Sequence, residues 1–146
     1  MEILIEIAAA AGGSLGFALL FRIKGFRLLL CAAAGAVVWS VYLGVLSIGL
    51  NFLVANTIAA MIGTMISEIF ARIFHSPATS FIAPTVIPLI PGGTLFDALQ
   101  ALIAGNMSQA GSLGVRTASI AAVIAAGIYA SSVFFRPSSH IAVGRK

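Results

Sequence analysis

Acidic side chains are nearly absent: Asp and Glu together number four in 146 residues, and Lys and Arg add only eight. Charged residues make up 8% of the chain, against roughly 25% in soluble globular domains. So few charges cannot solvate the outside of a water-soluble body of this size, and the surface must meet lipid. Cysteine is reduced to Cys31, which excludes an intrachain disulfide and a cysteine-rich metal site. Set in an apolar run, it reads as a small packing residue. His75 and His140 stand far apart, and with four scattered acids they offer no ligand spacing for a metal ion. Gly92-Gly93 lacks the lysine and Ser/Thr of a phosphate loop. No cofactor or metal is therefore expected, and no nucleophile–base pair or ligand set indicates an enzyme. The net charge of +4 comes from bases placed singly or in one trio. That is not a face for a nucleic acid but the flanking of membrane spans.

What is abundant is apolar surface, 60% of the residues. A helix needs roughly 20 such residues to cross the hydrocarbon core. The expected spans are 3–21, 28–47, 52–74, 79–105 and 116–135. They are separated by Arg22-Ile23-Lys24-Gly25-Phe26-Arg27, by the Gly49–Asn51 turn and by Pro77, and closed by Arg136-Pro137. The N-terminus is acidic at Glu2 and Glu6 where a signal peptide has bases, so the first span is expected to be retained. The fourth segment contains Pro84, Pro88, Pro91 and Gly92-Gly93, with its break placed at 91–93, and either crosses or folds back. Short cytoplasmic loops carry the excess of Lys/Arg, and this arbitrates. Five spans with the N-terminus outside put Arg22, Lys24, Arg27, Arg72, Arg136, Arg145 and Lys146 on the cytoplasmic side and only Arg116 outside. Four spans leave a weaker split of five against three. The chain is thus expected to be an all-α integral membrane protein. It forms a single transmembrane domain over 1–146, of about five helices, one broken at a Pro/Gly motif. Its expected place is the cell (inner) membrane, with the C-terminus cytoplasmic.

Between lipid-embedded helices the association comes from close backbone approach and polar contacts. Gly12 and Gly16, the stripe Ala59, Gly63 and Ser67, and the row Ala118, Ala122, Ala126 and Ala130 with Ser119, Gly127 and Ser131 beside it offer such approach. Most of this reads as packing within the chain, with room left for a partner helix and hence an oligomer.

Pro84-Thr85-Val86-Ile87-Pro88-Leu89-Ile90-Pro91-Gly92-Gly93-Thr94 carries the functional signal. Each proline removes a donor and clashes with the preceding turn. Unpaired backbone inside a membrane is tolerated only where protein or a water-filled cavity satisfies it, and broken helices build substrate sites in transporters. A half-helix starting near Thr94 would present free N–H groups and a positive dipole end to the break, which suits a carboxylate. Thr94-x-x-Asp97 reads either as a near capping box or as a coupling carboxylate beside the site. Asn56, inside the third span, reads as a cross-helix hydrogen bond or a lining of the path. The substrate-path candidates are Pro84, Pro88, Pro91, Gly92, Gly93, Thr94, Asp97 and Asn56. Gln100 and Asn106 face either the path or the outer interface. Glu68 and Arg72 read as a structural pair at helical spacing, and Trp39 and Tyr42 as packing.

The run Ile87-Pro88-Leu89-Ile90-Pro91-Gly92, following His75-Ser76-Pro77, resembles the signature of the threonine/serine exporter family. More closely, it is similar to the short membrane subunit of the split, two-gene form (YjjB-like proteins). The likeness extends along nearly the whole chain in span order, while its specific residues lie between Arg72 and about Phe96. It implies a five-helix half of a ten-helix secondary exporter, working with a longer companion subunit on threonine and serine. For some split pairs it implies succinate or related dicarboxylates. The expected partners are therefore the lipid bilayer, a small-molecule substrate and a companion subunit or further copies of the chain. A non-transporting membrane scaffold would also explain the small-residue stripes, but not the proline–glycine break.

Overall fold

The computed structural model describes residues 1–135; His140 and the cations Arg136, Arg145 and Lys146 lie outside that range. Every regular element among the described residues is helical. They are α1 (Glu2–Leu20), α2 (Phe26–Ser47), α3 (Phe52–Ile73), α4 (Thr79–Val86), a 3-10 turn (Ile87–Leu89), α5 (Gly92–Ile103) and α6 (Met107–Phe135).

Local chemistry sets the boundaries. Asn51 caps α3, its side chain accepting from the Leu53 N–H at 3.1 Å, the usual way to satisfy an orphan donor at a helix start. Helix α1 closes on Arg22, whose φ is 57°, and the Ile23 N–H returns to the Ala18 carbonyl at 3.0 Å. Asn106 takes the same role for α6, accepting from the Gln109 N–H at 3.2 Å. That start lies nine residues before the expected 116, because no proline interrupts the chain between Asn106 and Phe135.

The helices α1 and α2 form a hairpin, α2 packs on α3, and α3 on α6. Helix α4 lies in the crevice among α1, α2 and α3, whereas α5 leans on α6. Arg116 of α6 stands over Phe52 at the start of α3, and Gly127 of α6 lies against Thr57 and Ala60 further along. Helices α3 and α6 therefore run in the same direction. Phe81 near the start of α4 stacks with Phe70 and Phe74 at the other end of α3, with ring centroids 6.0 Å apart in each pair. The segment between α3 and α6 thus carries the chain from the Phe74 end of the bundle back to the Phe52 end.

Among the described residues four helices are long and apolar enough to cross a membrane, and the pair Thr79–Leu89 and Gly92–Ile103, bent by 58°, makes a fifth if it counts as one span. The fold is the all-α membrane architecture with one broken helix. Helix α6, at 29 residues and 1.5 Å per residue, is about 44 Å long, longer than the roughly 30 Å hydrocarbon core. Its first turns and α5 extend past the Phe52 end of α3.

Three glycines mark where helices touch. A Cβ at Gly35 would overlap Ser14 Oγ of α1. At Gly63 it would meet Val38 Cγ2 of α2 at 2.7 Å and Thr85 of α4 at 3.4 Å. At Gly127 it would stand 2.7 Å from the Thr57 carbonyl oxygen of α3. Ala59, Gly63 and Ser67 are buried together as expected. The other stripes behave differently: Gly12 and Gly16 face open space, and Ala118, Ala122, Ala126 and Ala130 are exposed. Only Gly127 and Ser131 turn that side of α6 inward. The reason is rotational: Ile120 and Ile124 hold the α3-facing side and the alanine row falls beside it.

Gly127→Ala is expected to lower the thermal midpoint of the detergent-solubilised chain by the cost of overpacking, about 1–3 kcal/mol, because backbone cannot move aside. Gly12→Ala, with nothing within 4 Å of its Cβ, should leave the midpoint unchanged or slightly higher. Equal midpoints for the two variants would contradict the α3–α6 packing.

Candidate functional site

The proline run breaks the fourth segment in two steps. Pro84 sits inside α4 without ending it. Pro88 lacks the donor that would continue the helix, and Ile87–Leu89 tightens into a 3-10 turn. Ile90 is then extended (φ −63°, ψ 126°) and Pro91 takes φ −76°, ψ 57°. The helix resumes at Gly92, so the gap lies at Ile90–Pro91 rather than at 91–93, and both glycines belong to the first turn of α5.

That first turn has no side-chain cap. The Gly92 N–H donates to the Ile90 carbonyl at 2.7 Å and the Leu95 N–H to the Pro91 carbonyl at 3.1 Å. The N–H groups of Gly93 and Thr94 are left as orphan donors at the positive end of the helix dipole. Thr94 lies inside the turn, its hydroxyl donating to the Pro91 carbonyl at 3.1 Å. The Thr94–Asp97 capping box is accordingly not formed, since Pro91 and not Thr94 occupies the cap position.

The break opens on a cavity of about 220 Å³. One wall is the chain from Pro88 to Thr94, with Pro88, Pro91, Gly92, Gly93 and Thr94 all contributing. Trp39 and Tyr42 of α2 form a second wall, Phe52 and Asn56 of α3 a third, and Arg116 and Ile120 of α6 a fourth. The Trp39 and Tyr42 rings lie 5.0 Å apart between centroids. Trp39 Nε1 donates to Glu6 of α1 at 3.2 Å, which fixes the indole. Asn56 is buried at 4% exposure, and its amide donates to the Phe52 carbonyl in its own helix at 2.8 Å. The expected cross-helix bond is thus replaced by one within α3. The Arg116 guanidinium stands 4.9 Å from the Phe52 ring centre, a cation–π geometry, and makes no ion pair among the described residues. Thr117 Oγ1 lies 3.0 Å from Thr94 Oγ1, tying α6 to the first turn of α5 next to Arg116.

A Cβ at Gly92 or Gly93 would meet nothing within 4 Å, and neither has a positive φ. Neither intramolecular packing nor backbone conformation requires a glycine there. Two residues that each cost about 1 kcal/mol relative to alanine in a helix interior leave the orphan N–H groups uncovered.

Six of the eight expected path residues meet at this cavity. Pro84 and Asp97 do not. Pro84 is fully buried in α4 among the bundle helices. Asp97 is exposed and lies on an open cavity of about 720 Å³ between α5 and α6, with Gln100 and Gln109. Asn106 caps α6 and bonds Gln109, its amide donating at 3.0 Å. His75 is exposed in the turn after α3 with φ 50°.

Trp39, Tyr42 and Arg116 were not among the expected path residues. Charge counting treats every cation as a loop marker and so places Arg116 outside. The readable signal was Gly105-Asn106, a helix stop followed by a cap, which starts α6 early enough to put Arg116 within it. Among the described residues no three His, Cys, Asp or Glu side chains converge as metal ligands.

No significant match is found among curated proteins or among solved structures. The family model described as "Threonine/Serine exporter, ThrE" matches residues 6–134, which takes in every helix of the bundle and the whole cavity. The chain belongs to the threonine/serine exporter family.

Proposed function

We propose that the chain is a subunit of a secondary exporter that passes threonine and serine through the cavity at the break, the substrate carboxylate resting between the α5 N-terminus and Arg116. The observation that carries this reading is the convergence of two uncapped backbone donors and one guanidinium on a single small cavity. Its volume equals about seven waters at roughly 30 Å³ each, which suits an amino acid of threonine's size. The charge inventory favours an amino acid over a dicarboxylate. Among the described residues Arg116 is the one charged residue in the lining, enough for one carboxylate, and the Trp39 and Tyr42 faces suit an ammonium group. Succinate would bring a second carboxylate with no second cation.

The outward Gly12/Gly16 pair and the Ala118–Ala130 row are the faces we assign to a companion subunit or a second copy, since small residues allow close helix approach. Exposed Gly92 and Gly93 leave one side of the cavity for such a neighbour to close. The bias of Lys and Arg supports an N-terminus outside and the Arg22–Arg27 turn on the cytoplasmic side of the cell membrane.

The test is efflux from cells fed threonine- and serine-containing dipeptides, with and without this chain, tracking succinate in parallel. Lost threonine and serine efflux supports the reading. Lost succinate efflux alone would move the substrate to dicarboxylates, and unchanged fluxes of all three would leave a scaffold role.

A further inference from the structure

A second cavity, of about 470 Å³, lies at the opposite end of the bundle, where the α1–α2 turn meets the start of α4. Arg22, Lys24 and Arg27 line it, with Ser76 and Ser80 across from them, and no lining residue is acidic. Three cations sharing one concavity repel each other, and an anion relieves that repulsion. The turn that carries them is held in place. Ile23 between Arg22 and Lys24 is buried and packs in one cluster with Ala18, Cys31, Ala71 and Phe81. The Ile23 N–H is tied to Ala18, and Arg27 is seated 4.6 Å over the Phe74 ring. The cations are therefore presented on a fixed turn and not on a loose loop. Apolar side chains continue from the rim along the bundle: Leu20, Phe26 and Leu29 are 74%, 69% and 57% exposed. A charged cup with an apolar face running away from it matches a ligand with an anionic head and acyl chains.

We propose that this cavity holds the phosphate headgroup of an anionic phospholipid, with Arg22, Lys24 and Arg27 pairing the phosphate and the Ser80 hydroxyl donating to one of its oxygens, while the Ser76 hydroxyl stays on the Phe74 carbonyl at 3.1 Å. Basic pockets between membrane helices bind such headgroups. The test uses the full chain purified in detergent and native mass spectrometry. It is titrated with phosphatidylglycerol, with phosphatidylethanolamine, and with inorganic phosphate as competitor. The expected result is one retained phosphatidylglycerol in preference to phosphatidylethanolamine, not displaced by millimolar phosphate. Arg22→Gln and Lys24→Gln should each weaken retention about fivefold, the contribution of one basic residue near an anionic surface. Ser80→Val, which keeps every charge, should weaken it severalfold, and circular dichroism checks that each variant keeps its helices. Equal retention of the two lipids, or wild-type retention by the arginine and lysine variants, would overturn the proposal. So would Ser80→Val binding as wild type, which would leave only diffuse attraction to a basic turn. Displacement by inorganic phosphate would assign the cavity to a free anion instead.

Discussion

Arg116→Gln is expected to cut threonine and serine efflux by at least about tenfold while the chain still reaches the membrane. A charge-assisted hydrogen bond contributes roughly 1.5–3 kcal/mol, and the guanidinium is the sole charge that the described residues bring to the cavity at the break. Its loss leaves the substrate carboxylate with backbone N–H groups alone. Arg116→Lys should recover part of the flux, because it keeps the charge but not the planar fork that grips a carboxylate with two parallel bonds. The stability of Arg116→Gln should change little, since Arg116 is exposed and rests only on the Phe52 ring. Efflux that survives Arg116→Gln at the wild-type rate, with equal amounts of protein in the membrane, would remove Arg116 from the site.

Gly93→Val is expected to have the second large effect, in the opposite relation to stability. Nothing in the chain lies within 4 Å of a Cβ at Gly93, so in the isolated chain the added side chain meets no neighbour and projects where the cavity opens. Replacing a helical glycine recovers some of the roughly 1 kcal/mol that glycine costs, although β-branching returns part of it. The thermal midpoint should therefore hold or rise, while efflux falls severalfold because the side chain covers the orphan N–H groups of Gly93 and Thr94. A variant that is no less stable and transports poorly separates a binding role for this glycine from a folding role. If Gly93→Val transports normally, the α5 N-terminus does not contact substrate. If instead it unfolds, the open space above Gly93 is not open in the assembled protein.

Much of the architecture was legible because membrane helices are written in composition. Runs of apolar residues between Arg22–Arg27, Gly49–Asn51 and Pro77 locate α1 to α3 within two residues of the expected bounds at every end, with Ser47 and Phe52 matched. The break was legible because Pro88, Pro91 and the glycine pair fall within six residues, although Pro84 alone does not end α4. Its placement slipped from Ile90–Pro91 to 91–93 because glycine tolerates a helical first turn as readily as a gap. Two kinds of information were not in the pattern. Which side of a helix faces inward depends on tertiary packing, so the alanine row of α6 reads like Ala59-Gly63-Ser67 of α3 yet points outward. Convergence of residues distant in sequence is likewise invisible: Trp39 and Tyr42 look like packing until Pro88 and Leu89 are set beside them. Asp97, attractive as a lone acid next to the motif, sits in the second turn of α5, which leans on α6 and carries it to a different cavity.

The most direct measurement is substrate protection of a single cysteine placed on the cavity wall away from the anion donors. Cys31 is the only native cysteine and is buried, so Cys31→Ala supplies the background and Tyr42→Cys the reporter, with the Trp39 ring left to face the ammonium group. A small thiol reagent should label the reporter, and threonine or serine should slow that labelling. Threoninol, which has the same side chain and amine but no carboxylate, should not slow it. Labelling indifferent to threonine, or slowed equally by threonine and threoninol, would contradict a carboxylate held at the break.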